Sequence, residues 1–544
     1  MLFNSFEFLT FLLVVYGLYR VLPFRAQNRM LLVAGYIFYG WWDWRFLALM
    51  IFSTTVDFWV GLLLDRGKLT RWQALFPATF VFVAALLLVG LDFSAVMHAL
   101  VGQIPTHSVI SPQMTWILIG GPALFLAGFF IYKIVLPMDE RIRRKICVLI
   151  SLTIQLGILA VYKYFNFFAE SLVESLQSVG INVSPGHFNI VLPVGISFYT
   201  FQSLSYTIDI YRREIRPTDK FLDFALFVSF FPQLVAGPIE RARNLIPQLS
   251  RPRPIDFLVT TRGLFLIVLG LFKKVAIADG VAPFVDQVYN SSGNVSWADV
   301  VLATVLFAVQ IYADFSGYSD IARGTARLLG VELMVNFRQP YFAKSPRDFW
   351  QRWHISLSTW LGDYLYKPLG GSRGSLAFTC RNLMLTMLLG GLWHGAAWNY
   401  VLWGFYHGSI LSIHRVLVSV RGEANLLQGR IISTVKIVSF GFVTLYGWLL
   451  FRARSFHQVS EFTRIIFTDL GNFTIGPRVP ALSALLGILL LGGFEIAQYN
   501  AGNGSPRYYQ RWPAPAIGLF IAAMMFLIFM GMSNEPAQFI YFQF

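Results

Sequence analysis

Long apolar runs joined by short polar segments make up most of the chain. After a first run at Met1–Pro23, others fall at 30–64, 74–91, 115–137, 146–165, 188–211, 221–238, 261–282, 298–315, 382–414, 431–451, 481–498 and 514–534. Each is long enough for a hydrocarbon core of about 30 Å, or for a shorter tilted piece of one. Within 30–64, the cluster Trp41-Trp42-Asp43-Trp44-Arg45 is interfacial in character and predicts a division into two crossings. The run at 221–238 is interrupted by Phe231-Pro232-Gln233-Leu234-Val235-Ala236-Gly237-Pro238 and has basic residues at both ends, Lys220 and Arg241. That fits a re-entrant piece better than a full crossing. Irregular backbone at membrane depth is tolerated only inside protein or against water, so an internal chamber opening to the cytoplasm is expected. The pattern predicts an all-α polytopic integral membrane protein with about a dozen or more transmembrane and re-entrant helices.

Composition excludes the alternatives. With 56% hydrophobic, 17% aromatic and only 13% charged residues, the chain departs far from the roughly 25% charged make-up of a soluble domain. Two cysteines rule out a disulfide framework. The net charge of +15 would suggest nucleic acid in a soluble protein. In a polytopic one it signals cationic loops facing anionic membrane lipid, and no nucleic-acid partner is expected. Met1–Pro23 lacks a basic stretch before its apolar run and has Arg20, Arg25 and Arg29 after it, so it reads as a retained span rather than a signal peptide. Basic loops (Arg25/Arg29; Arg66/Lys68/Arg71; Arg141/Arg143/Arg144/Lys145; Arg212/Arg213/Arg216/Lys220) alternate with stretches at 93–113, 164–211 and 275–322 that hold no Lys or Arg. The positive-inside rule puts the first set in the cytoplasm and the N-terminus outside.

Two segments carry candidate chemistry. From Asn336 to Arg381, Lys344, Arg347, Arg352, Lys367, Arg373 and Arg381 interleave with Phe349, Trp350, Trp353, Trp360, Tyr364 and Tyr366. The spacing predicts a helix over 347–366 that puts Trp350, Trp353, Leu357, Trp360, Leu361 and Tyr364 on one arc, with His354 at its edge. Taken alone, this is a surface-lying amphipathic helix with a histidine packed on aromatics. Pro368-Leu369-Gly370-Gly371-Ser372-Arg373-Gly374 then forms a basic turn that offers N–H groups and an arginine to phosphate, a weak signal by itself. The second segment, Asn382–His414, has no Asp, Glu, Lys or Arg but holds His394, His407 and His414. A continuous helix there would run about 50 Å, so a break is expected at Gly390-Gly391 or Gly395. An imidazole deep in a membrane is either a functional group or a helix-bridging one. His394 is the candidate for the first role, and bundle packing is the reading for His407 and His414. Asp314 and Asp320 suggest a carboxylate pair, but pairing with Arg323 or Arg327 within a turn or two of helix is the preferred role. Cys147 and Cys380 offer no catalytic setting, and no ligand cluster marks a metal site. Paired halves with matching broken helices are not visible, which weakens a transporter or flippase reading.

The motif Phe349-Trp350-Gln351-Arg352-Trp353-His354-Ile355-Ser356-Leu357-Ser358-Thr359-Trp360, then Asp363-Tyr364-Leu365-Tyr366, Pro368-Leu369-Gly370-Gly371-Ser372-Arg373 and Leu392-Trp393-His394-Gly395-Ala396, resembles the signature of the membrane-bound O-acyltransferase family. Its bacterial branch, which includes the membrane subunit of alginate O-acetylation, is the nearer likeness. Phe198-Tyr199-Thr200-Phe201-Gln202, the Phe231–Pro238 run with Ile239, and Tyr312–Asp320 resemble further motifs of that branch, as do Leu2–Ser5 and Tyr36–Trp41. The likeness spans most of the chain and implies a single domain over 1–544, with core motifs within 190–415, built around an internal tunnel.

The resemblance further implies an O-acetyltransferase of the bacterial inner membrane. It would take acetyl from cytoplasmic acetyl-CoA, with no tightly bound cofactor, for O-acetylation of an extracytoplasmic polysaccharide such as alginate. A periplasmic SGNH-like acetyltransferase partner is implied, since only membrane segments and short loops are seen. Peptidoglycan or other envelope-glycan acetylation and D-alanyl transfer are the competing reactions. By motif position, His394 is the expected general base and His354 its polar companion; a histidine titrating near neutrality suits deprotonation of a hydroxyl. Lys344, Arg347, Trp350, Arg352, Trp353, Ser356, Lys367 and Arg373 are the expected donor-binding surface, equally explained by positive-inside topology. The chain departs from the pattern at Gly362, where relatives usually carry arginine, at Lys367, where they carry an apolar residue, and in its longer Leu75–Gln113 region.

Overall fold

A computed structural model describes residues 1–92, 95, 110–183, 190–234, 237–291, 295–421, 429–476, 479–502, 512–533 and 539–540. Most of the 93–113 stretch, together with parts of those at 164–211 and 275–322, therefore lies outside the described residues. The described elements are helices, with a lone antiparallel bridge between Leu91 and Ile110. Nine of the described helical segments are long and apolar enough to cross a membrane: 45–66, 71–88, 113–135, 140–178, 297–328, 376–394, 431–452, 482–500 and 514–531. The protein is an all-α, polytopic membrane protein. The other expected crossings are shorter helices, ones built from joined pieces, or, at 24–43 and 398–421, helices of full length but lower hydropathy.

The first of two units comprises residues 1–235, 239–254 and 329–331. Its helices are α1 (Phe6–Val21), α2 (Phe24–Asp43), α3 (Arg45–Arg66), α4 (Arg71–Leu88), α5 (Gln113–Val135), α6 (Glu140–Leu159), α7 (Phe165–Ser178), α8 (Ile196–Tyr211), α9 (Phe221–Ser229) and α10 (Ala242–Leu249). The division expected in the tryptophan cluster falls at Trp44. There the Asp43 carboxylate accepts the Arg45 N–H at 3.0 Å and pairs with its guanidinium, ending α2 and starting α3. α6 runs into α7 through a π-helical turn at Ala160–Tyr164. The re-entrant candidate is the nine-residue α9 and a single turn at Phe231–Leu234, both buried and too short to span. Arg144, expected as a loop charge, is instead buried and donates to the carbonyls of Leu64, Ile210 and Tyr211. It thus satisfies the open carbonyls at the ends of α3 and α8.

The second unit, residues 236–238, 255–328 and 332–544, holds the candidate chemistry. Its helices are α11 (Phe257–Leu271), α12 (Asp279–Tyr289), α13 (Trp297–Leu328), α14 (Pro346–Trp350), α15 (Ile355–Leu361), α16 (Leu376–His394), α17 (Trp398–Arg421), α18 (Arg430–Arg452), α19 (Phe456–Thr468), α20 (Leu482–Asn500) and α21 (Ala514–Gly531). α11 and α13 meet backbone to backbone: a Cβ at Gly270 would lie 2.5 Å from the Gly317 carbonyl oxygen, and one at Gly324 2.6 Å from that of Gly263. Small residues at such spacing let helices approach closely in lipid. A π-helical turn at Phe272–Ala278 joins α11 to α12 and presents Lys273 and Lys274 inward. Lys274 pairs with Asp279 at 2.7 Å and with Asp314 at 2.9 Å, and Lys273 pairs with Asp320 at 2.8 Å. The expectation for Asp320 holds in part, through Arg323 at 3.2 Å. Asp314 is corrected: its cation comes from the neighbouring π-helical turn and not from its own helix.

Candidate functional site

The 347–366 segment is not one helix. Ser345 caps α14, its hydroxyl accepting the Asp348 N–H at 3.2 Å with Pro346 at the first helical position. The chain then turns. The N–H groups of Arg352 and Trp353 both return to the Phe349 carbonyl, and His354 takes a left-handed backbone, φ 42° and ψ 54°, before α15 begins. For a side chain branched only beyond Cβ this costs on the order of 1–2 kcal/mol, and such strain is held by surrounding structure. Here the holder is Asn336. Its backbone carbonyl accepts the Ile355 N–H at 2.9 Å, and its side-chain oxygen accepts from the Ser356 N–H at 3.2 Å and the Ser356 hydroxyl at 2.9 Å. His354 Nδ1 lies 3.2 Å from the same oxygen. His354 and Ser356 are fully buried, and the His354 ring meets Phe315 edge-on at 4.6 Å. Burial pushes the His354 imidazole down to about 3, so it is neutral at physiological pH.

His394 is the last residue of α16. The expected break follows it, at Gly395–Ala397, and α17 folds back along α16. The turn needs glycine: a Cβ on Gly395 would lie 2.2 Å from the Tyr400 ring, and one on Gly391 2.2 Å from the Tyr400 carbonyl oxygen. The His394 ring is 5% exposed among Trp393, Trp403 and Phe451. Trp393 packs against both histidines, its ring centroid 6.0 Å from that of His354 and 5.1 Å from that of His394. His407 packs among Phe349, Trp350 and Trp403, as the bundle reading expects.

A cavity of about 450 Å³ opens beside His394. Arg347, Trp350, Gln351 and Thr386 share its wall with His394, and the remainder is largely apolar. Gly362 borders it, and a Cβ there would meet nothing within 4 Å, so the missing arginine side chain leaves open room. Of the expected donor surface, only Arg347 and Trp350 line this cavity. Trp353 is buried against Phe349 and Trp448, and Ser356 is buried beside Asn336. Arg352 and Lys367 are each paired at 2.6 Å, with Asp348 and Asp363. Lys344 donates to the Ser433 hydroxyl at 3.1 Å, and Arg373 is exposed. Asn336 has no assigned role in the sequence reading. Its signal is a lone amide between Val335 and Phe337, at the opening of the basic–aromatic segment.

This geometry falls inside a region with known relatives. The family model for membrane-bound O-acyltransferases matches residues 211–456. Over a longer span the chain is 34% identical to a probable alginate O-acetylase of Azotobacter vinelandii, covering 92% of this chain and 85% of that protein. The chain belongs to the membrane-bound O-acyltransferase family. A probable alginate O-acetylase of Pseudomonas aeruginosa is 36% identical, with 92% of this chain and 82% of that protein covered. A peptidoglycan O-acetyltransferase of Helicobacter pylori is 34% identical over 57% of this chain and 63% of that protein. As a member of this family the chain is an O-acyltransferase on a multi-pass membrane fold, and an acyl donor is one of its substrates.

Proposed function

We propose that this O-acyltransferase takes an acetyl group from cytoplasmic acetyl-CoA and moves it across the bacterial inner membrane, for O-acetylation of an extracytoplasmic polysaccharide such as alginate. The observation that carries the reading is the shared wall of His394 and Arg347 on one cavity of about 450 Å³. That volume falls in the range of small-molecule sites and suits a thioester head with part of its arm. His394 is the general base: its imidazole takes the proton of the acceptor hydroxyl as the oxygen attacks the thioester carbonyl, and the departing thiolate then receives that proton. Arg347 offers a fixed cation to a donor phosphate, with Trp350 as an apolar wall. Lys344 and Arg373 extend that positive field at the surface, while Arg352 and Lys367 contribute less because each is neutralised by its aspartate. Trp353 and Ser356 act from below, as supports of the turn that carries His354.

Similarity to alginate O-acetylases over most of the chain supports the polysaccharide, and similarity to a peptidoglycan O-acetyltransferase supports a second acceptor class. The receiving side is expected to include a periplasmic SGNH-like partner whose serine or sugar takes the acetyl group. The test is reconstitution in sealed vesicles, with labelled acetyl-CoA on the inner-face side and partner plus polymer on the other. Label reaching the far compartment supports transmembrane transfer. Label found only when donor and acceptor share a compartment refutes it, and labelling of peptidoglycan fragments but not alginate reassigns the acceptor.

A further inference from the structure

We infer that Asn336 is a positioning residue of this site: its side-chain oxygen accepts a hydrogen bond from His354 Nδ1–H and so fixes the imidazole in the Nδ1–H tautomer, with Nε2 unprotonated. The inference rests on the reading that His354 belongs to the reacting site, and it changes what that histidine can do there.

The amide orientation follows from its neighbours. A backbone N–H can only donate, so the Asn336 atom facing the Ser356 N–H at 3.2 Å is the carbonyl oxygen. The amide nitrogen accordingly donates the other way, to the Ser319 hydroxyl at 3.3 Å. An amide oxygen has no proton to give, so His354 Nδ1, 3.2 Å from it, is the donor. A neutral imidazole carries one N–H, which leaves Nε2 with its lone pair. His354 therefore does not polarise a thioester carbonyl from Nε2, a role that requires a proton on that atom. Asn336 is 1% exposed, and its left-handed partner His354 is 0% exposed, so neither group has rotational freedom to adopt the other tautomer cheaply.

The charged groups of the surrounding elements are committed to one another. Asn336 and Ser319 line a small polar cavity of about 60 Å³ together with Lys273, Asp320, Arg323 and Glu495. Asp320 is bound to Lys273 and Arg323, Glu495 accepts from the Tyr312 hydroxyl, and Asp314 is bound to Lys274 and the Ile540 N–H. On the segment of His354 itself, Arg352 is held by Asp348, and the Arg338 N–H donates to the Arg352 carbonyl. Trp393, which packs on His354, also packs on His394. A carboxylate placed at position 336 would therefore be a new charge on His354.

The experiment has two parts. In the first, the full-length protein labelled with nitrogen-15 histidine is studied by NMR in detergent, with the His354→Gln variant assigning the His354 signals. A protonated Nδ1 with an unprotonated Nε2 is expected, and the Nε2–H tautomer overturns the inference whatever the acyl acceptor proves to be. In the second, acetyl transfer is measured from pH 5 to 9 for Asn336→Asp and Asn336→Ala. Asn336→Asp keeps the acceptor and the shape but stabilises the imidazolium, so an acid limb set by His354, which lies below this range in the wild type, rises into it. Asn336→Ala lowers kcat on the order of ten- to a hundredfold with little change in donor KM. If Asn336→Asp has an unshifted pH profile and Asn336→Ala differs only in the yield of folded protein, the role is structural and the inference fails. Full activity in His354→Gln would instead overturn the placement of His354 in the site and leave the tautomer assignment standing.

Discussion

Replacing His394 separates chemistry from folding because the two costs differ in size. A positioned general base is worth roughly 10²- to 10⁴-fold in rate, which is about 2.7–5.4 kcal/mol of barrier. The fold loses less. The His394 ring touches three aromatic rings with centroids 5.0–5.3 Å away, but one flank already faces the cavity of about 450 Å³. Truncation to alanine enlarges an existing opening and creates no sealed void, so a stability cost of about 1 kcal/mol is expected. By contrast, Trp403→Ala would remove a fully buried indole at about 3–5 kcal/mol. His394→Gln keeps most of the volume and a hydrogen-bonding head but removes the titrating nitrogen. The assay is transfer of label from acetyl-CoA in reconstituted vesicles, with thermal unfolding followed on the same preparations. Both variants should melt near the wild-type temperature and transfer at one-hundredth of its rate or less. A His394→Gln protein with a normal melt and more than about a tenth of the wild-type rate would remove His394 from the base role.

Three further outcomes are expected. Gly391→Ala puts a methyl group 2.2 Å from the Tyr400 carbonyl oxygen and should cost about 1–3 kcal/mol, read as a lower melting temperature, while Gly120→Ala, with nothing within 4 Å, should not. Lys274→Met leaves Asp279 and Asp314 facing each other without their cation and should destabilise by about 3–5 kcal/mol; adding Asp279→Asn and Asp314→Asn should restore much of the melting temperature, and no recovery would deny the pairing its importance. For orientation, a cysteine at exposed Ser178 should react with an impermeant thiol reagent from outside the cell and one at exposed Arg141 should not, and equal labelling of both would reverse or void the assigned topology.

Some of the site was legible because its cause is local. A helix of Asn382–His414 would be too long for a bilayer, and the break falls at Gly395, where a side chain would strike the Tyr400 ring. The Asp43–Arg45 pair divides the 30–64 run at Trp44 for the same kind of reason, since the two groups that stop and start the helices are neighbours in the chain. Apolar spacing identified part of the buried set of 347–366: Trp353, Leu357, Trp360 and Leu361 are buried, whereas Trp350 and Tyr364 of the same arc are half-buried and Phe349, His354 and Ser356 are buried off it.

The sequence by itself determined the membrane-embedded helical class, the order of its apolar segments, the two histidine motifs and the family. The tertiary structure decided which groups meet. Periodicity reports that a face is buried but not what it is buried against, so it could not show the chain turning at His354 onto Asn336, 18 residues earlier, with three donors gathered on one amide oxygen. Nor could it pair Asp314 with Lys274 on another element, because charges in apolar surroundings are neutralised by whichever countercharge packing brings within reach. The same holds for the basic residues of the 344–373 segment. Only Arg347 reaches the wall shared with His394, since Arg352 and Lys367 sit four residues from an aspartate and are taken up by it.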